Sequence, residues 1–401
     1  MTLLTLTLLG CTAGALFLYS LGIISVVRHI WFAKRYETPS ELPAISLLKP
    51  LKGSEENLAD NLRSFFEQGY AGPLEFIFAA ETLDDPGLDV AREISGDYPH
   101  IPTRFVISDP SYGLNPKVAN LAAAYHAAEH DLVLQSDANV RVSATYIQDI
   151  VSELVATDAS LLTSLVIGVG ERSVGAAMEN LQLGAFVAPA VCTALHVARV
   201  TCVIGKSMLF RRSELEALGG LASVRDILCE DFVLGQLYAK ADKRVVLSAT
   251  TVENVNQNIG IRQFLARHSR WLKMRAVIHV PAFVADLFSN PVCLMLLAFI
   301  AGGADVVMSY LLAAVVTYKV AGDAFMLRVT RGHGMAWYRV ALGPIKDCLM
   351  GVVWVYSVFS RSVRWRGRRL RFGKMSRLRD DEGSLAVRFF RLLGRPFQSL
   401  H

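Results

Sequence analysis

The stretch Asp131-Leu132-Val133-Leu134-Gln135-Ser136-Asp137-Ala138-Asn139 decides the fold. An apolar run too short for a helix ends on a carboxylate and an amide, the pattern of a buried strand whose carboxyl end meets a turn or a ligand. Upstream, similar runs at 44–48, 74–80 and 103–107 alternate with helix-period stretches at 58–68, 87–94 and 116–128. That βαβα order predicts an α/β domain whose mostly parallel sheet carries helices on both faces. In such sheets ligands sit at the carboxyl ends of the strands.

The residues just past those strands are polar. Lys49-Pro50-Leu51-Lys52-Gly53 follows the first, Glu81-Thr82-Leu83-Asp84-Asp85-Pro86 the second and Ser136-Asp137-Ala138-Asn139 the fourth. A carboxylate there either caps a turn or helix, or ligates a hard cation that holds a diphosphate. Carboxylates at successive strand ends with lysines nearby point to an anionic nucleotide with a divalent metal, Mg2+ or Mn2+. Further on, Cys229-Glu230-Asp231 opens a helical pattern, placing Asp231 near a helix N-terminus, where a cap is its simplest role. Arg267-His268-Ser269-Arg270-Trp271 lies in a basic amphipathic stretch, 261–279. Such a stretch rests on a headgroup surface, or offers a guanidinium fork to a departing diphosphate.

Of 401 residues, 52% are apolar and 19% charged, and the mean hydropathy is +0.35. This excludes a disordered chain, a collagen-like repeat and a small disulfide scaffold, and it is too apolar for a wholly soluble enzyme. The six cysteines are scattered without a C-x-x-C pair, so neither a zinc site nor a disulfide framework is expected, in keeping with a reducing compartment. Residues 1–27 carry no charge, and 3–27 is long enough to cross a hydrocarbon core of about 30 Å. It lacks the basic start and cleavage site of a signal peptide. Arg28, His29, Lys34 and Arg35 follow it, so the next domain is expected in the cytoplasm.

A second apolar block, 281–360, divides into segments at 284–303, 306–326 and 339–360. The third contains Lys346 and Asp347, a pair costly in lipid, and is read as re-entrant, interfacial or packed against its neighbours. Residues 361–379 hold nine Lys or Arg and no Asp or Glu; since the chain is +5 (41 minus 36), the rest sums to −4. The basic balance is therefore local, which removes the case for a nucleic-acid partner and fits anionic lipid headgroups on the cytoplasmic side. Three full spans would leave that tail on the other side, so the third segment is expected not to cross. The organisation read is an anchor at 1–27, a cytosolic catalytic domain at 28–260, a basic interfacial helix at 261–280, a transmembrane region at 281–360 and a basic tail at 361–401. A mostly apolar stretch at 181–205, inside the cytosolic domain, reads either as a buried helix and core strand or as a wall facing the bilayer.

Taken in order, Lys49 to Gly53, Gly113-Leu114-Asn115-Pro116-Lys117-Val118-Ala119-Asn120-Leu121, Ser136-Asp137, Cys202-Val203-Ile204-Gly205-Lys206-Ser207, Glu230-Asp231 and Arg267-x-x-Arg270-Trp271 resemble the ceramide glucosyltransferases. The similarity extends over roughly 1–375 and includes Trp365-Arg366-Gly367-Arg368-Arg369. It implies a GT-A nucleotide-diphospho-sugar transferase domain, one N-terminal anchor and two to three C-terminal transmembrane or interfacial helices. It further implies inverting transfer of a sugar, glucose, from a UDP-sugar to the primary hydroxyl of ceramide, in an integral multi-pass protein of a bacterial inner membrane or a eukaryotic endomembrane. On this reading Asp231 is the catalytic base and Asp137 meets the metal. The donor side comprises Lys49, Glu81, Asp84, Asn115, Lys117, Asp137, Arg267, Arg270 and Trp271, and the acceptor side Trp271 and His196. Thr82 departs from the family pattern, standing where an aspartate is expected, with Glu81 or Asp84 as substitutes. That departure keeps two alternatives: transfer to another membrane lipid such as a hopanoid, and an impaired nucleotide-sugar binding protein.

Overall fold

The computed structural model describes residues 2–360, 362–365 and 368–380; the rest of the 361–401 tail, including Arg366 and Gly367, lies outside the described residues. The chain begins with helix α1 (Leu3–Trp31) and enters β1 (Ile45–Pro50), α2 (Leu58–Phe66), β2 (Leu74–Ala80), α3 (Pro86–Gly96), β3 (Thr103–Ile107), α4 (Pro116–Ala127) and β4 (Leu132–Ser136). It continues through β5 (Val140–Arg141), α5 (Tyr146–Thr157), β6 (Leu161–Val169) and α6 (Val174–Gln182). A π-helical turn (Leu183–Val187) then leads to α7 (Ala188–His196), β7 (Ser207–Arg211), α8 (Arg212–Ala217), α9 (Glu230–Lys240) and β8 (Val245–Val255).

One sheet runs β3-β2-β1-β4-β7-β6-β8-β5. The four strands read from the sequence form its parallel half; β7 runs antiparallel to both β4 and β6, and β5 antiparallel to β8. The sheet is therefore mixed, although most of its strands share one direction. Every residue of β1 and β4 is buried, as expected of strands covered on both faces. Alternate residues enter different cores: Leu47 and Leu134 pack with Phe65, Phe76 and Ile147, whereas Leu48 and Val133 pack with Val118, Tyr125 and Phe210.

Two of the helices that follow strands, α3 and α4, start on side-chain caps. Asp85 accepts from Gly87 N–H and from Gly53 N–H, fixing the turn before Pro86, and Asn115 accepts from Lys117 N–H and Val118 N–H ahead of Pro116. The 181–205 stretch forms no core strand. It completes α6, makes the π turn and α7, then runs irregularly to Lys206. Ala188, Val191 and Cys192 pack against Val26 of α1 and Leu165 of β6, so the expected wall is in part the seat of the anchor helix.

The remainder is α10 (Ile261–Ile278), α11 (Val280–Phe288), α12 (Pro291–Ala301), α13 (Val306–Arg331), α14 (Trp337–Val340), α15 (Gly343–Phe359) and the antiparallel strands β9 (Ser362–Trp365), β10 (Arg368–Phe372) and β11 (Leu378–Asp380). Among the described residues three segments, Leu3–Trp31, Val306–Arg331 and Trp337–Phe359, are long and apolar enough to cross a membrane, and α11 and α12 form a pair bent by 58°. The end of α1 remote from the sheet meets the end of α12, where Thr5 Oγ1 donates to Ala301 O, while His29 at its other end sits 3.2 Å from Ser248 O of β8. From that remote end α13 returns to the domain, where Arg331 pairs with Glu171 at 3.2 Å.

α15 is different. Near its start Lys346 Nζ donates to Gln182 of α6, and near its end Trp354 Nε1 donates to Phe283 O beside α10. Both ends thus stay on the catalytic domain's side. Lys346 and Asp347 are buried among neighbouring helices: Asp347 pairs with Lys346 at 2.6 Å and Lys319 at 3.2 Å, and Lys319 pairs with Asp323 at 2.7 Å. Tyr19 of α1 closes the group by donating to Asp323 Oδ1.

Candidate active site

The polar strand ends converge on Asp137. Its carboxylate lies 3.0 Å from Lys117 Nζ and 3.1 Å from Lys206 Nζ. Burial by itself would raise Asp137, but the two ammonium groups outweigh it and hold the carboxyl well below the usual range. Lys117 also pairs with Glu230 at 2.9 Å, and Lys206 donates to Asn139 Oδ1. Burial would lower Lys117, yet Asp137 and Glu230 keep it raised and charged. Glu230 itself is pushed up by burial, with Lys117 opposing the shift. Lys49 sits beneath this group, donating to Ser136 Oγ and Asp137 O, with its ammonium 3.5 Å from the centre of the Phe65 ring. Complete burial drives its pKa well down.

Asp231 stands beside this network at the start of α9. Gly205 N–H donates to its Oδ2 at 2.7 Å; Phe232 N–H and the Cys229 thiol donate to its Oδ1 at 2.8 and 3.3 Å. A Cβ at Gly205 would lie 2.8 Å from Asp231 Oδ2, so only glycine allows that approach. The loop before α9 is pinned from two directions. Asn115 Nδ2 donates to Ile227 O and Leu114 N–H to Asp226 Oδ1. From the tail, Ser376 O accepts from Leu228 N–H, Ser376 Oγ accepts from Cys229 N–H, and Leu378 N–H donates to Asp226 O. Met375 and Ser376 hold left-handed backbone (φ 56° and 54°), a strained geometry that persists where its surroundings fix it.

Placement of the remaining sequence candidates varies. Glu81 is half-exposed and paired with Lys52 at 3.1 Å, at the edge of a small pocket lined also by Ser108 and Gly113. Asp84 is exposed on the turn before α3. The Asn115 side chain is spent on the cap and on Ile227, so it positions Lys117 and the Asp231 loop and offers no free group to a ligand. Arg267 donates to Glu179 Oε1 at 3.0 Å, and His268 Nε2 lies 3.0 Å from Glu179 Oε2. Burial would raise Glu179, but His268 and Arg267 bring it to about 2. Arg270 and Trp271 follow on the same helix, and the Trp271 ring meets His268 edge-on. His196 lies elsewhere: its ring meets that of His29 of α1 at a tilt of 59°, with ring centres 5.4 Å apart, and it does not line the pocket that holds Trp271.

Three participants escaped the sequence reading. Lys206 and Glu230 stood within quoted motifs but gained meaning only once the fold placed them against Asp137 and Lys117. Ser376 had no local signal, because its partners are about 150 positions away.

The fit of a cation turns on Asp137. Its side chain is about one-fifth exposed, with Oδ1 3.0 Å from Lys117 Nζ and Oδ2 3.1 Å from Lys206 Nζ. An ionised, partly accessible carboxylate suits a hard cation that takes one protein carboxylate and fills its shell with phosphate oxygens and water. Among the described residues there is no trio of His, Cys, Asp or Glu that could hold a metal without such a ligand.

Residues 12–378 match the sequence profile of glycosyl transferase family 21. The chain belongs to that family. Among curated proteins, ceramide glucosyltransferase 1 of Caenorhabditis elegans is 24% identical over 392 residues, covering 95% of this chain and 83% of the relative. Ceramide glucosyltransferase 3 of the same species is 25% identical over 277 residues, covering 68% of this chain and 60% of the relative's length. Among solved structures, a mannosyltransferase from Pyrobaculum calidifontis, in complex with GDP-Man and Mn2+, superposes with a TM-score of 0.51 at 15% identity. The match covers 89% of this chain and 98% of that one. The GT-A fold expected from the sequence is thus shown, and family 21 membership makes the chain a glycosyltransferase.

Proposed function

We propose that this family 21 enzyme transfers glucose from UDP-glucose to the primary hydroxyl of ceramide with inversion, and that Asp231 removes the hydroxyl proton. One observation carries the reading: Lys117 bonds Asp137 and Glu230 at once, so a cation suited to a diphosphate is locked to the residue preceding Asp231. The donor's diphosphate would lie against Lys117 and Lys206, and its base would enter the pocket edged by Glu81. Asp231, held by Gly205 N–H, would take the proton of the incoming hydroxyl. As the hydroxyl oxygen attacks the anomeric carbon, the sugar–phosphate bond breaks and charge grows on UDP; Lys117 and Lys206 stabilise that charge. Asp137 would hold Mg2+ or Mn2+, which when bound adds Lewis-acid neutralisation of the diphosphate. Arg267 is committed to Glu179, so its part is to anchor the Arg-x-x-Arg-Trp turn.

The membrane arrangement follows from where helix ends lie. We read α1 as crossing once, α12 and α13 as leaving and returning, and α15 as staying at the near face. This leaves the tail with the catalytic domain in the cytoplasm, on the side marked by Arg28, Lys34 and Arg35. Purified membranes incubated with labelled UDP-glucose, UDP-galactose or UDP-N-acetylglucosamine, and with ceramide or a hopanoid, test the reaction. A glucosylated ceramide is expected; release of free sugar without any lipid product would overturn the acceptor assignment.

A further inference from the structure

α10 separates two environments. Met274 and Val277 pack on Leu228 in the loop before Asp231, whereas Leu272 and Arg275 line a pocket on the other side. At 100° per residue, the first pair lies about 60–120° from Trp271 in one direction and the second about 40–100° in the other, so Trp271 stands on the seam. Across the pocket are Phe186 of the π turn, the break between α11 and α12, and α15. π turns inside helices frequently mark functional sites.

One acid in that pocket has unspent hydrogen-bonding capacity. Asp286 is 10% exposed; its Oδ1 accepts from Arg275 at 2.6 Å, and its Oδ2 accepts nothing. Asp347, also in the lining, is held by Lys346 at Oδ1 and by Lys319 at Oδ2. A buried acceptor without a donor costs free energy that a donor-bearing ligand would recover. A phosphate headgroup would meet two carboxylates and one guanidinium already engaged with Asp286, so an anionic lipid is disfavoured. Val280, Val284 and Phe288 are exposed along α11, an apolar flank against which lipid chains can lie.

We propose that this pocket seats the headgroup of a neutral two-chain acceptor, with Asp286 accepting a hydrogen bond from its amide N–H or secondary hydroxyl. The inference rests on the lipid-acceptor reading above and adds to it the residue that selects the headgroup. Asp286 is a specificity residue; proton removal stays with Asp231.

The full-length enzyme in phosphatidylcholine vesicles provides the test, with UDP-glucose as donor and two acceptors: ceramide, and diacylglycerol, which has the primary hydroxyl but neither donor group. Wild type is expected to prefer ceramide. Asp286→Asn should raise the ceramide KM about tenfold, leave the UDP-glucose KM unchanged and shrink the preference over diacylglycerol. Met350→Trp, which fills the pocket without altering charge, should raise the KM of both acceptors. Unchanged acceptor KM in both variants, or unchanged ceramide preference in Asp286→Asn, overturns the pocket assignment while leaving the reaction standing. Wild type that uses neither lipid overturns both.

Discussion

At the strand ends, Lys117 and Lys206 share Asp137; between α1, α13 and α15, Lys319 and Lys346 share Asp347. The side chains are the same types, and their access to solvent differs. Lys117, Asp137 and Lys206 are 17%, 20% and 23% exposed, against 0–5% for Lys319, Asp323, Lys346 and Asp347. A charged group that water can reach can exchange its partner for a substrate phosphate. A sealed one can only hold helices together, because losing a partner strands an opposite charge in low dielectric. The open network is therefore read as chemistry and the other as a clamp joining anchor, hairpin and catalytic domain.

The largest expected effect breaks the open network. Asp231→Asn keeps an acceptor for only one of the two backbone donors, Gly205 N–H or Phe232 N–H, and removes the base, so transfer should fall by about 10²- to 10⁴-fold. Binding of UDP-glucose, followed by calorimetry, should persist. Full transfer by this variant would take the base role from Asp231. In the clamp, Lys319→Met leaves Asp323 and Asp347 facing each other and should cost about 3–5 kcal/mol, seen as a lower Tm in detergent. Adding Asp347→Asn should restore part of it. If Lys319→Met kept its Tm and instead lost UDP-glucose binding, the division between the two networks would fail.

How much of this was legible in the sequence depends on range. β2 and β3 fall on 74–80 and 103–107 as read: β2 is buried on both faces, and β3, although half-buried at the sheet's edge, still reads as a short apolar run. Asp137 and Asp231 were singled out by standing next to such elements. The same Asn115 side chain suits a ligand and an N-cap, which sequence does not separate; in the fold its bonds run to Lys117, Val118 and Ile227. His196 was drawn towards the acceptor by its apolar surroundings, which turn out to be the seat of α1. Hydropathy carries length but no direction. The return of α15 to the domain was accordingly beyond it, and was inferred only from the charge of the tail.

A smaller effect, set by pH, concerns the link between the two networks. Glu179 of α6 holds Arg267 and His268, and its pKa falls from about 4.5 unfolded to about 2 folded. A depressed carboxyl contributes stability that is complete above the unfolded value and is lost as pH falls through the folded one. Glu179→Gln should therefore lower stability by about 3 kcal/mol at pH 7 and flatten the decline of the wild type between about pH 4.5 and 2. Thermal unfolding across that range reads both. An unaltered acid profile would mean that Arg267 is held by other contacts.

The smallest expected effect tests whether burial alone assigns a residue to the clamp. Ser376 is fully buried, as the clamp residues are, yet its hydroxyl accepts from Cys229 N–H, two residues before Asp231. Ser376→Ala removes that acceptor and leaves the backbone bonds of the tail intact. A neutral hydrogen bond is worth about 1 kcal/mol, so kcat should drop about fivefold through looser placement of Asp231. The KM for UDP-glucose should stay fixed, because Lys117 and Lys206 bond Asp137, Glu230 and Asn139 and not Ser376, and Ser376→Thr should recover most of the rate. A fall in Tm with kcat intact would instead make the tail a structural strap. It would then belong with Lys319 and Asp347, and the open network would end at the Asp231 loop.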